Sequence, residues 1–265
     1  MVAKDMTYAN KKLSDFGLII ASFDDSSSDT IDTDSQRSFS SNSLFFGKYQ
    51  PFVATTYEDA LVITFQIMKD PCNNEELQLS QSEVRQLKKW LNRPTPHKLS
   101  FDSEEFKGIY WEGSFNVQEI YLAGVPYGLE LEFQSTRPFA IMDDVTYEGS
   151  LQTSDVLVIN DTSDEEGYIY PNLEIKCLSD GDLEITNSYE LRTTKISNCT
   201  SGETIIFTPL MQVRSSLSSH KLSDDFNYVF LRIGNTYDET INSITTNIPI
   251  EYKLTYTPIA KVVIA

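Results

Sequence analysis

Cysteine is scarce in this 265-residue chain. Cys72, Cys177 and Cys199 form an odd set without C-x-x-C spacing, so neither a disulfide framework nor a cysteine-rich zinc site is expected. Only two histidines occur, His97 and His220, and both read as structural or solvent-exposed side chains rather than ligands or catalysts. With 10 Pro and 11 Gly, the chain is neither collagen-like nor a Pro/Gly-rich stalk. Basic residues are outnumbered: Lys and Arg total 21 against 39 Asp and Glu, a net charge of −18. The deficit runs through both halves, with 13 basic and 20 acidic groups in residues 1–140 and 8 and 19 in residues 141–265. Such a surface disfavours sequence-specific nucleic-acid binding and attachment to an anionic membrane. Long apolar runs are missing, so no membrane-spanning helix is expected, and residues 1–10 do not read as a signal peptide. Asn160-Asp-Thr and Asn198-Cys-Thr match the glycosylation acceptor pattern, and both matches are read as coincidental.

Apolar material is nevertheless ample, at 40% of residues with 15 Phe and 14 Tyr. Leu13–Phe23 reads as a short strand and turn. The following stretch, Asp24–Ser43, is crowded with Ser and Asp and reads as a loop. Asp24, Asp25, Asp29, Asp32 and Asp34 lack the spacing, central Gly and final Glu of a calcium loop, so no metal is assigned to them. In Ala60–Met68, the residues Leu61, Ile63, Phe65 and Ile67 share one face of a strand. One helix is expected next. Ser80 and Glu83 form a capping box, Leu79 and Val84 sit at the positions of a hydrophobic staple, and Val84, Leu87, Trp90 and Leu91 supply the apolar side. Asn92 and Pro94 end it near Leu91.

Strands then resume. Phe106–Trp111 and Ser114–Leu122 suggest a hairpin about Glu112-Gly113, with Pro126 ahead of Tyr127–Gln134. In that last run Tyr127, Leu129, Leu131 and Phe133 share one face, while Glu130 and Glu132 share the other. Adjacent same-face carboxylates lie about 6.5–7 Å apart along a strand. That spacing overlaps an inverting glycosidase pair, but a solvated or interface face is the preferred interpretation. A boundary falls near 135–150. Beyond it, Val156–Asn160, Leu173–Leu178, Leu183–Thr186, Thr204–Thr208, Phe226–Ile233 and Ile248–Tyr256 read as short strands, the pattern of an antiparallel sandwich. Phe65, Phe133, Tyr228 and Tyr252 are expected to fill cores, although Trp111 or exposed tyrosines could instead stack on sugars. No phosphate loop, H-E-x-x-H or G-x-S-x-G pattern occurs. No catalytic, cofactor or metal residue is therefore assigned.

In order along the chain, Asp15-Phe16-Gly17-Leu18, Ala60–Met68, Trp90-Leu91, Lys98-Leu99-Ser100-Phe101 and Phe106–Trp111 resemble the amino-terminal domain of the distal tail proteins of long, non-contractile-tailed bacteriophages. Val158-Ile159-Asn160, Tyr170–Ile175, Asp182–Asn187, Glu203–Ile206 and Phe230–Asn235 resemble the second half of that family. The resemblance implies a mainly β protein with two domains. Residues 1–140 would be a β-rich, ring-forming hub domain with one helix, and residues 141–265 a peripheral, galectin-like antiparallel β-sandwich. It further implies a homohexamer in the virion, made in the host cytoplasm. That ring would join the major tail tube protein to a tail-associated lysin or tip protein, with receptor-binding proteins held outside. The competing interpretation is a carbohydrate-binding module acting in cell-wall adsorption, and a glycoside hydrolase ranks third. The structural role entails no enzyme activity and no cofactor.

Overall fold

The computed structural model describes residues 4–21, 37–42, 52–57, 60–236 and 241–262. Two compact units result, Met1–Ile141 with Lys261–Ala265, and Met142–Ala260.

In the first unit the strands are β1 (Met6–Tyr8), β2 (Lys11–Lys12), β3 (Leu18–Ala21), β4 (Arg37–Asn42), β5 (Phe52–Tyr57), β6 (Val62–Lys69), β7 (His97–Phe101), β8 (Ile109–Leu122) and β9 (Val125–Ser135). Helix α1 (Gln81–Leu91) stands between β6 and β7, and β10 (Ala140–Met142) leads out. An antiparallel sheet runs in the order β2-β1-β7-β8-β9-β6-β3, while among the described residues β4 and β5 pair with each other. The pairing of β4 corrects the loop expected over Asp24–Ser43 for its residues 37–42. The five aspartates from Asp24 to Asp34 lie outside the described residues.

Alternation along β6 and β9 buries Ile63, Phe65 and Ile67 beside Phe133, Leu131 and Leu129, which are their register partners. Across β8 the rings continue. Phe115 lies 5.0 Å from Phe133, 5.9 Å from Phe65 and 4.8 Å from Tyr8, centroid to centroid. Edge-to-face pairs of this kind add about 0.5–1.5 kcal/mol each beyond the area they bury. Trp111 is fully enclosed, 5.8 Å from Phe101 and 5.9 Å from Phe106, so it cannot be a sugar platform.

Helix α1 starts as its sequence dictates. Glu83 N donates to Ser80 Oγ at 3.3 Å, Ser80 N donates to Glu83 Oε2 at 2.7 Å, and Lys69 holds the other carboxylate oxygen at 2.9 Å. Leu79 and Val84 are both buried beside the cap. The helix docks through Trp90, whose Nε1–H donates to Tyr8 O at 2.9 Å and whose ring stacks on Phe16 at 4.6 Å. Phe16 closes a short 3-10 turn, Ser14–Phe16, which Gly17 ends at φ +67°, a left-handed geometry that glycine adopts freely.

The hairpin expected about Glu112-Gly113 is not formed there. β8 passes straight through Gly113 and turns at Ala123-Gly124, so Pro126 lies inside β9. Gly113 is instead a close-approach glycine: a Cβ would collide with Gln134 O and stand 2.6 Å from Phe133 Cζ and 2.8 Å from Ser135 Cα.

The second unit holds β11 (Val145–Leu151), β12 (Leu157–Asn160), β13 (Gly167–Ile169), β14 (Asn172–Cys177), β15 (Gly181–Asn187), β16 (Arg192–Cys199), β17 (Thr204–Thr208), β18 (Gln212–Ser215), β19 (Ile233–Asn235), β20 (Ile241–Thr246) and β21 (Ile250–Tyr256). One-turn helix α2 (Leu222–Asp225) follows β18. Sheet β11-β21-β14-β17-β18 and sheet β12-β20-β15-β16 share one core, to which Leu173, Ile175, Ile205 and Leu254 contribute from the first and Ile159, Leu183, Ile185, Ile196 and Ile244 from the second. This is an antiparallel sandwich. β21 lies inside its sheet, between β11 and β14, which is why its alternation is so regular.

Phe226–Ile233 is not the strand its composition suggests. Asn227 Oδ1 accepts from Lys195 N and Val229 N, both at 3.1 Å, and Tyr228 takes φ +58°. Side-chain bonds have replaced a strand ladder here. Phe226 still enters the core, but Tyr228 is 65% exposed and fills none. The β15–β16 and β17–β18 hairpins turn at Leu191 and Met211, each at φ +55° and each exposed.

Trp90→Ala should cost about 3–5 kcal/mol in a denaturant melt, and Ser80→Ala about 0.5–2 kcal/mol. Gly113→Ala should cost about 1–3 kcal/mol by overpacking, although a turn at this position would tolerate alanine. An unchanged midpoint for Gly113→Ala would refute the close approach.

Candidate functional site

Two polar clusters of the described residues join segments that the sequence keeps apart. At one end of the sandwich, Thr200 to Glu203 turn β16 into β17. Here Thr200 N donates to Glu203 Oε2 at 3.0 Å, and Ser215 Oγ donates to Glu203 Oε1. His220 Nδ1 lies 2.5 Å from that same Oε1. Both side chains are enclosed, His220 at 5% and Glu203 at 0% exposure. The far nitrogen, Nε2, is 3.4 Å from Asp225 Oδ2 without hydrogen-bond geometry.

Burial raises the Glu203 carboxyl, but Ser215, the Thr200 amide and His220 outweigh it and hold the group below its ordinary range. Burial likewise pulls the His220 ring down, yet the hydrogen bond and charge of Glu203, with Cys199 and Asp225, leave it raised. Both shifts favour the charged forms, an imidazolium facing a carboxylate. Ser215 donates to the carboxylate, not to the imidazole, so the three residues do not form the relay of a hydrolase. They clasp β18 and the α2 segment to the start of β17. Cys177 and Cys199 are buried in the neighbouring core, with Cys199 Sγ 3.6 Å from Ile196 O, and the thiol of Cys199 is pushed up by Cys177 and by burial. A buried thiol raised in this way, as at Cys199, is inert packing.

A second clasp stands at the other end. Asn187 Nδ2 donates to Asn242 Oδ1 at 2.8 Å and to Arg232 O at 3.0 Å. Asn242 Nδ2 donates to Gly234 O at 2.9 Å, and Gly234 N returns a bond to Asn242 Oδ1 at 2.8 Å. This network fixes the irregular segment before β19. Arg232 is thereby placed over the Tyr168 ring, Cζ 3.5 Å from its centroid, and its NH2 meets Glu190 Oε2 at 2.6 Å. Tyr189 packs where any side chain on Gly234 would stand.

The residues weighed from sequence are dispersed. His97 lies in β7 against the Tyr8 ring, 5.9 Å between centroids, and Cys72 is exposed and free. Glu130 accepts from Gln66 Nε2 at 3.3 Å, and Glu132 is exposed opposite Thr64 and Asn116. Their neighbours are thus amides and a hydroxyl, the composition of a solvated sheet face. Sequence reasoning missed both clasps. Glu203 and His220 are separated by 17 residues, and Asn187 and Asn242 by 55, with no motif linking either pair.

Together these features define a β-rich protein of two antiparallel units, the second of which is braced by both clasps. Its family is identified directly. Residues 1–137 match the family described as phage tail protein N-terminal domain, and residues 139–256 match phage tail C-terminal domain. The chain belongs to this family of phage tail proteins, and its place is the virion tail. The fold is similar to that of SPP1 Dit (gp 19.1), whose crystal structure is described as a paradigm of the hub adsorption apparatus in phages infecting Gram-positive hosts. The TM-score is 0.64 at 11% identity, covering 96% of this chain and 98% of Dit. No curated protein matches the chain.

The Glu203–His220 clasp predicts a pH profile for the second unit. The raised His220 contribution is complete below its unfolded value near 6.5 and is lost as pH rises through the higher folded value. The lowered Glu203 contribution is complete above the ordinary carboxylate value and is lost as pH falls through the folded one. Melting temperature should therefore peak in mildly acidic buffer and decline toward alkaline pH. His220→Gln should flatten the alkaline limb. Glu203→Ala should cost about 3–5 kcal/mol, because a buried partner is left uncompensated.

Proposed function

We propose that this chain is the structural hub at the distal end of a phage tail. Its first unit would close into a sixfold ring, with the sandwich carried outside. The ring joins the major tail tube protein to a tail-associated lysin or tip protein, and the outside of the assembly offers sites for receptor-binding proteins. One observation carries this reading: the likeness to Dit runs through both units and nearly the full length of both chains. A closed ring leaves no terminal subunit exposed, which suits a part that must end a tube. Along the main path of the large sheet, β2 at one end has two residues and the described part of β3 at the other has four. Edges this short are poor templates for strand addition, so ring contacts fall to side-chain faces.

Catalysis has no part in this function. The best histidine–carboxylate–serine grouping is spent on holding the sandwich end, with its carboxylate already accepting three bonds. Sugar adsorption is a weaker reading. Tyr168 is 48% exposed, but Arg232 covers one face of its ring.

Particle imaging of the purified chain, alone and with the tail tube protein, should show a sixfold ring with a central opening. A tail-tip map placing the chain elsewhere would sink the proposal. Assays on cell-wall glycans, peptides and nucleotides should stay at background. Turnover abolished by one point substitution would reverse the non-catalytic reading.

A further inference from the structure

In a chain with 39 acidic and 21 basic residues, a cluster of unpaired cations needs a reason. The first unit has one. A pocket of about 290 Å³ is lined by Lys11, Phe16, Gln86, Lys89, Trp90 and Arg93. Its aromatic wall is the Phe16–Trp90 stack, with 21° between the ring planes, and Lys11 Nζ stands 5.8 Å from the Phe16 centroid. Among the described residues, Lys11, Lys89 and Arg93 have no carboxylate within ion-pair distance. Their neighbours do: Lys12 meets Asp102 at 3.0 Å, Lys69 meets Glu83 at 2.9 Å, and Lys88 meets Glu119 at 2.6 Å.

Lys89 stands in the last turn of α1, where a cation complements the helix dipole. That explanation does not reach Lys11, which is on β2. Arg93 Nε donates to Trp90 O at 3.0 Å, so its guanidinium is fixed to the same residue that forms the wall. Three cations from two segments, β2 and the C-terminal end of α1, thus converge on an aromatic wall held by the helix dock.

We infer that this pocket receives a carboxylate-bearing segment of a second copy of this chain. Charge complementarity carries the inference. Copies with a charge of −18 repel one another unless a cationic site on each faces acidic surface on the next. A basic pocket on one copy and acidic surface on another make a heterologous contact, the kind that closes into rings. The inference takes the neighbouring copy from the hub reading and the ligand chemistry from the pocket itself.

Sedimentation of the full chain, compared with Lys11→Glu/Lys89→Glu/Arg93→Glu, tests it. The wild-type chain should self-associate at low salt and less so at high salt. The triple variant should associate at least about tenfold more weakly while still melting as a folded protein. Should that variant melt early, Lys11→Gln/Lys89→Gln should give a smaller loss in the same direction. Equal association of the wild type and a folded variant overturns the pocket assignment and leaves the hub standing. A wild-type chain that meets other copies only on the tail tube overturns it as well. Retention of double-stranded DNA or polyphosphate by the wild type alone, with self-association unaffected, overturns it in favour of a phosphate site. If imaging puts the chain outside the hub while the reversal still abolishes self-association, the hub reading falls and the pocket stands.

Discussion

The first unit depends on one indole. Trp90 gives its N–H to Tyr8 O and its ring to Phe16, so a single side chain attaches the helix both to the sheet and to the turn before β3. The sheet alone has a face of Phe65, Phe115, Phe133 and Tyr8 that water would otherwise meet. Burying such a face is favourable, at about 25 cal/mol per Å² of apolar area. The hydrogen bond adds direction to a contact that hydrophobicity alone would leave free to slide. The cap at Ser80 and the lysine at position 69 set where the helix begins, and Trp90 sets where it is held.

The second unit solves a different problem. Its core is made by two sheets, but its two ends are irregular, and irregular backbone needs partners when it is buried. Each end has found a different chemistry. Asn187 and Asn242 act as neutral brackets, with donors and acceptors matched inside the fold. Glu203 and His220 act as a charged bracket. The neutral one is insensitive to pH, whereas the charged one ties the α2 segment to proton activity. Buried pairs of this kind cost desolvation, so they are better understood as devices for holding one arrangement than as net sources of stability.

Much of this was visible in the residues. The capping box, the staple and the apolar side of α1 are local signals, and local signals survive folding. Alternation in β6, β9 and β21 was legible because each strand puts one face in a core. Gly113 was misjudged because a glycine beside a carboxylate reads as a turn, whereas its actual role depends on how near β9 comes. Phe226–Ile233 was misjudged because Asn227 competes for backbone groups of β16, at Lys195 32 residues earlier in the chain. β16, β20 and the paired β4 went unread, their many Ser, Thr and Asn residues blurring the alternation. The cationic pocket was equally invisible. Lys11 and Lys89 are far apart in sequence and only the Trp90 dock brings them together.

Leu191 and Met211 occupy the hairpin turns at the end of the sandwich bracketed by asparagine. Both adopt a backbone geometry that suits glycine or asparagine better, and neither buries its side chain in return. The core therefore places almost no demand on their identity. Tips of this kind can be rewritten without refolding the scaffold behind them. On this sandwich the Leu191 tip can change while the residue that holds its turn lies behind it, in Asn187, whose carbonyl accepts from Leu191 N.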